Sequence, residues 1–154
     1  MLRPGVRLGV DVGKVRIGIA RSDPHALLAT PVATVPRGDG DLAAIVAFAA
    51  EVAAIEIVVG LPLALSGKHT PSTDDATQFA GRLASRVDVP VRLVDERLST
   101  VSAQQALRAS GRNSRSSRSV VDQVAAVIIL QHALDFERSA GNPPGGLADP
   151  DEGS

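Results

Sequence analysis

The feature that most constrains the fold is a change of hydrophobic period near residue 40. Ahead of it, Val6–Val12 (VRLGVDV) and Val15–Arg21 (VRIGIAR) alternate apolar with small or charged residues, the pattern of half-buried strands. Leu27–Val35 reads as a third strand, with Pro31 marking an edge or a bulge because proline cannot donate to a ladder. Turns this short make the three strands antiparallel neighbours. Beyond residue 40 the spacing becomes helical: Asp41–Ala53 places Leu42, Ile45, Ala49 and Val52 on one face. Ile55–Leu61 (IEIVVGL) is nearly all apolar, as expected of a strand buried on both faces. Pro71–Val87 is a predicted helix with Thr70 as cap and Pro71 at its first position. Val89–Val94 is a short strand, Ser102–Ser110 a helix stopped by Gly111, and Ser119–Phe136 a long apolar helix. The order βββ-α-β-α-β-α-α predicts an α/β fold: a mixed five-stranded sheet, three antiparallel strands followed by βα units, flanked by helices. In such sheets sites form outside the carboxyl ends of the parallel strands.

A chain of 154 residues suits one domain. Residues 1–140 are expected to form it. Residues 141–154 (GNPPGGLADPDEGS) are expected to be a disordered acidic tail, since Pro, Gly and acids bury no core. Three Phe with no Tyr or Trp imply an aliphatic core and argue against recognition by base stacking. The lack of cysteine excludes disulfides and thiolate metal sites, so a metal would take oxygen or imidazole ligands. The net charge of −1 turns positive once the tail acids Asp149, Asp151 and Glu152 are set aside. No basic-then-apolar leader and no bilayer-length apolar run are evident, which predicts a soluble cytoplasmic protein with no membrane partner.

Three acidic positions stand at predicted element ends: Asp11 ending the first strand, Asp95 and Glu96 in DERLST after the last strand, and Asp122 in the first turn of the last helix. Metal-assisted phosphoryl hydrolysis needs such a set, because hard Mg²⁺ or Mn²⁺ prefers oxygen ligands and two ions can hold the attacking and leaving oxygens. Gly9 and Gly13, two residues either side of Asp11, would leave room for a metal and a phosphate. A two-residue Gly13-Lys14 loop would place Asp11 opposite Arg16 and Gly9 opposite Gly18.

Each position also has a plainer reading. Asp11 is compatible with an edge-strand charge, and Asp-x-Gly before a second strand also resembles the phosphate loop of sugar-kinase and actin-like ATPases. One short domain leaves no second lobe to close over a nucleotide. Asp95 and Glu96 suit a solvated loop. Ser119-x-x-Asp122 has capping-box spacing, and an acid there would favour the helix dipole. The stretch RASGRNSRSSRS, with Arg108, Arg112, Arg115 and Arg118, reads as a solvated loop or as a phosphate-contact surface. GLPLALSG lacks the Gly-Lys-Ser/Thr ending of a P-loop, although Lys68 beyond it suits a phosphate contact. His25, His69 and His132 are scattered, and His132 fits a structural role.

Four ordered motifs, GVDVGKVRIGIARSD, VVGLPLALSG, VDERLST and VDQVAAVIILQ, together resemble the YqgF/RuvX family of pre-16S ribosomal RNA nucleases and Holliday-junction-resolvase-like proteins, over about residues 6 to 136. The resemblance implies a ribonuclease H-like fold and a metal-dependent nuclease that hydrolyses phosphodiester bonds. It implies Asp11, Glu96 and Asp122 as catalytic metal ligands for Mg²⁺ or Mn²⁺. Arg16 and Arg97 fall on the family's basic positions, which implies that they orient the acids or touch phosphates. With Lys68, Arg112, Arg115 and Arg118 they make the expected nucleic-acid contacts. The expected partner is structured RNA, in processing of the precursor 16S 5′ end. The alternatives are a resolvase acting on four-way DNA as a dimer and a non-catalytic ribosome-assembly factor. A monomer or weak homodimer is expected.

Overall fold

The computed structural model describes residues 3–95 and 115–149, with residues 115–120 as backbone only. The strands are β1 (Arg7–Val12), β2 (Arg16–Ser22), β3 (Ala29–Pro36), β4 (Glu56–Leu61), β5 (Val91–Asp95) and β6 (Gly146–Leu147). The helices are α1 (Asp41–Glu51), α2 (Pro71–Ala84) and α3 (Arg115–Ala140). They build one six-stranded mixed sheet in the order β3-β2-β1-β4-β5-β6. β1 pairs antiparallel with β2 and parallel with β4, and β4 pairs parallel with β5. The predicted architecture therefore stands, with one strand more than expected.

Strand alternation sorts the side chains onto two faces. Leu8, Val10, Ile17, Ile19, Ile57 and Val59 point to one side and pack with Leu42, Ile45, Phe79 and Leu83 of α1 and α2. Ala20 and Val58 face the other way and pack against Ala126, Ile129, Leu130 and Leu134 of α3. The start of α2 follows the sequence signal: the Thr70 side chain accepts from the Thr73 amide, and Pro71 opens the helix. Pro31 lies on the edge strand β3 at a break in its register with β2, where Ile19 faces Ala33 and Ala20 faces Pro31.

Three expectations change. The β1–β2 register is not the Gly13-Lys14 one: Asp11 faces Gly18 and Gly9 faces Ala20. The Gly13 amide instead donates to the Arg16 carbonyl at 2.9 Å, so Lys14 and Val15 form the turn. A Cβ on Gly13 would lie 2.6 Å from that same oxygen, so Gly13 serves the hairpin's closeness. Secondly, the last helix starts at Arg115 rather than Ser119, and the expected helix at 102–110 lies outside the described residues. Thirdly, residues 141–149 depart from the disordered tail expected of them. β6 pairs antiparallel with β5, the Ala148 amide donates to the Val91 carbonyl at 2.8 Å, and Ala148 joins the core. Gly145 permits this approach: its φ is +61°, and a Cβ there would sit 2.1 Å from the Leu93 carbonyl oxygen. The short strand also covers what would be an open sheet edge. Residues 150–154 lie outside the described residues.

Candidate active site at the carboxyl edge of the sheet

Asp11 is the next-to-last residue of β1 and shares a face with Gly9, the face on which α3 packs. A Cβ on Gly9 would lie 2.7 Å from Leu130 Cβ and 2.9 Å from the Ala126 carbonyl oxygen. One on Gly18, directly across from Asp11, would lie 1.9 Å from the Asp122 carbonyl oxygen. Of the two glycines expected to leave room for a metal and a phosphate, Gly9 thus makes room for α3 and Gly13 for its own hairpin, while Gly18 across from Asp11 also admits the helix. The consequence for the site is direct, because the close approach at Gly18 brings Asp122 down beside Asp11. Gly18→Ala should push α3 off the sheet, costing about 1–3 kcal/mol as an overpacked core does. Thermal melts should show the loss, and any cleavage activity should fall further than the melting temperature accounts for.

Asp11 feels its neighbour. Burial first, and the Asp122 charge second, push the Asp11 carboxyl up to about 6 from an ordinary 3.8. The Asp122 carboxylate is 16% exposed and accepts from Arg16 Nε at 2.8 Å. Gln123, next on the helix, donates from Nε2 to Thr34 Oγ1 at 3.0 Å and ties α3 to β3. Asp122 lies about two turns inside α3, not in its first turn, so the capping and helix-dipole explanations of this acid no longer apply.

The remaining candidate residues divide clearly. β5 ends at Asp95, level with Leu61 of β4, at the sheet edge where β1 also ends. Glu96, Arg97 and Arg112 lie outside the described residues. Arg115 and Arg118 belong to the first turns of α3, not to a linking loop. Lys68 is exposed in the β4–α2 connection, after the same edge. Among the described residues no three His, Asp or Glu side chains form a metal-sized cluster. Asp11 and Asp122 are therefore a pair. A half-buried pair of neighbouring carboxylates is the donor chemistry a hard divalent cation takes.

The sequence reading missed two charged groups. At the opposite end of the sheet, Arg7 and Glu137, 1% and 3% exposed, pair at 2.9 Å. Arg3 bridges Glu137 at 2.7 Å and Glu56 at 3.1 Å, and Arg92 adds a 2.7 Å bond to Glu56. Glu56 inside the apolar IEIVVGL run was the available signal, since a charge there demands a partner. The second is Arg37, which holds both oxygens of Asp75 at 2.8 and 3.0 Å and donates to the Gly13 carbonyl at 2.8 Å.

Known proteins share the sequence and the fold of this chain. The family description "RuvX: Holliday junction resolvase" matches residues 5–136. A protein of Clavibacter michiganensis subsp. michiganensis named "Putative pre-16S rRNA nuclease" is 68% identical over 149 residues, covering 95% of this chain and 92% of its own. One of the same name from Leifsonia xyli subsp. xyli is 60% identical over 151 residues, covering 97% of each. Among solved structures, T. thermophilus RuvC in complex with a Holliday junction substrate superposes with a TM-score of 0.56. At 15% identity, over 91% of this chain and 99% of that one, it shows a shared fold. No helix among the described residues is long and apolar enough to cross a membrane. With a family match running from just before β1 to near the end of α3, and relatives alike over nearly their whole length, the chain belongs to the RuvX family.

Proposed function

We propose that this protein is a divalent-metal-dependent nuclease that trims the 5′ end of precursor 16S ribosomal RNA in the cytoplasm. The carrying observation is the Asp11–Asp122 pair at the carboxyl edge of the sheet, with the Asp11 carboxyl raised by burial and by its neighbour. The names of the relatives support the RNA substrate. Asp11 and Asp122, with Glu96 from the segment after β5, would hold Mg²⁺ or Mn²⁺. When bound, the ion supplies Lewis-acid polarisation of a phosphodiester and an activated water. The chain's own residues do the rest. Arg16 fixes the Asp122 carboxylate by its Nε bond. The burial of Asp11 keeps bulk water from screening the charge on the pair. Lys68, Arg97, Arg112, Arg115 and Arg118 would meet substrate phosphates.

The RuvX description names a second substrate, the Holliday junction. Symmetric cutting of a four-way junction needs two copies of the chain. Incubating the protein with precursor 16S RNA and with a four-way junction, each with Mg²⁺ or Mn²⁺, separates the readings. Cleavage of the RNA near its mature 5′ end, absent in Asp11→Asn, is the expected result. Paired symmetric nicks in the junction with the RNA intact would favour the resolvase. Tight RNA binding with no cleavage under any metal would point to a non-catalytic assembly factor.

A further inference from the structure

On the face of the sheet opposite α3, a groove of about 640 Å³ lies between the β1–β2 turn, the β3–α1 connection and α2. Four cations line it: Lys14, Arg37, Arg82 and Arg86, against the acids Asp39 and Asp41. The partnering is uneven. Arg37 is committed to Asp75, with Asp41 at 3.7 Å, and its guanidinium lies 5.3 Å from the centre of the Phe79 ring. Arg82 covers the same ring at 6.0 Å, and its Nε is buried without a hydrogen-bond partner. A buried guanidinium N–H without an acceptor is costly, and native structures rarely leave one so. Lys14 and Arg86 are exposed.

We infer that this groove binds the phosphate backbone of the nucleic acid to one side of the scissile bond, without reading its sequence. The inference rests on the nuclease reading and extends it. Three considerations identify the occupant as phosphate. The four cations outnumber the acids even with Asp75 counted beside Asp39 and Asp41; Asp75 holds Arg37 and also feels the Arg82 charge, which leaves the exposed Lys14 and Arg86 foremost for an incoming anion. The one aromatic ring at the groove, Phe79, is 1% exposed beneath two guanidiniums and gives no platform for a base. Guanidiniums and ammoniums without base-edge partners position a backbone rather than specify a sequence.

Proximity makes the backbone a shared one. Lys14 follows Asp11 by three residues of chain, so their Cα atoms lie within roughly 11 Å. That is about three nucleotide steps of duplex rise. A strand whose phosphate reaches the acid pair can continue past the β1–β2 turn into the groove. The substrate would then straddle the end of the sheet, held on the α3 face at the acids and on the α1/α2 face by these cations.

The test is the salt dependence of binding to a labelled structured RNA, in EDTA, so that the result is read whether or not the chain cuts. Lys14→Gln with Arg86→Gln removes two exposed cations and leaves the Phe79 packing untouched. Each lost phosphate contact should flatten the log–log slope by roughly 0.7–0.9, so the double variant should lose up to about two units. A second arm follows the amides of Gly38 and Gly40 by NMR during titration with the RNA and with inorganic pyrophosphate. Shifts with both, and displacement of pyrophosphate by RNA, are expected. An unchanged slope in the double variant would overturn the proposal. So would amides that respond to pyrophosphate and not to RNA, which would make the groove a site for a free phosphate compound.

Discussion

Asp11→Asn is expected to abolish metal-dependent cleavage while making the metal-free protein more stable. The loss should reach roughly 10³-fold, since removal of one carboxylate from the metal set forfeits several kcal/mol of transition-state charge stabilisation. The gain in stability follows from the Asp11 carboxyl, raised to about 6 from 3.8. Between those values the folded chain binds a proton that the unfolded chain has released. Stability therefore falls as pH rises through this window, and the penalty is complete above about pH 6. Its size is at most about 3 kcal/mol. Asparagine has no charge to desolvate and none to repel Asp122. Thermal melts in EDTA should show the variant several degrees above wild type at pH 7.5 and level with it near pH 4. A variant less stable than wild type at pH 7.5 would mean that the Asp11 carboxylate is satisfied by a partner other than a metal. Residual cleavage within tenfold of wild type would remove Asp11 from the catalytic set.

Glu137→Ala is expected to cause the largest loss of stability of any substitution considered. It leaves Arg7, 1% exposed, without the carboxylate that neutralises it, and frees Arg3 from its shortest contact. Removing one partner of a buried ion pair costs about 3–5 kcal/mol. For a chain of this length that lowers the melting temperature by on the order of 10 °C. The network holds three arginines and two glutamates, so loss of a glutamate leaves the excess positive charge buried. Burial pushes the Glu137 carboxyl up, but the Arg3 hydrogen bonds and the Arg7 charge outweigh it and hold the group below the usual range. Its contribution is present above the ordinary glutamate range and is lost as pH falls through the depressed value. The gap between wild type and the variant should accordingly close in strong acid. Equal melting temperatures at neutral pH would show that the network contributes nothing net.

The fold was readable where one physical signal dominated. Alternation in β1 and β2, the apolar run of β4, and the Thr70-Pro71 start of α2 are local patterns, and each element formed where its pattern lay. Residues 141–149 were misread because composition reports only what a segment can bury by itself. Gly145 and Ala148 depend on an edge that β5 offers. The glycines beside Asp11 carried a real signal with the wrong cause attached. A glycine flags close approach but not what approaches: at Gly9 it is α3 at Ala126 and Leu130, and at Gly13 it is the Arg16 carbonyl of the same hairpin. The site was legible in the same partial way. Asp11 and Asp122 were identified as carboxylates of interest, yet their meeting rests on a hairpin register that differed from the expected one by enough to put Gly18, not Arg16, across from Asp11. The pairing of Arg16 with Asp122 and the groove of Lys14, Arg82 and Arg86 join residues far apart in the chain, and no spacing rule reaches them.

The most direct test of the central claim is Mn²⁺ binding to the protein alone, followed by the loss of the free-ion paramagnetic resonance signal at pH 7.5. Saturable binding by wild type is expected. Affinity should be weaker by at least about tenfold in both Asp11→Asn and Asp122→Asn, since even the loss of a group that only hydrogen-bonds to a ligand costs that much at metal sites. Wild-type affinity in both variants would contradict the claim and would place the metal, and the chemistry, away from this pair of carboxylates.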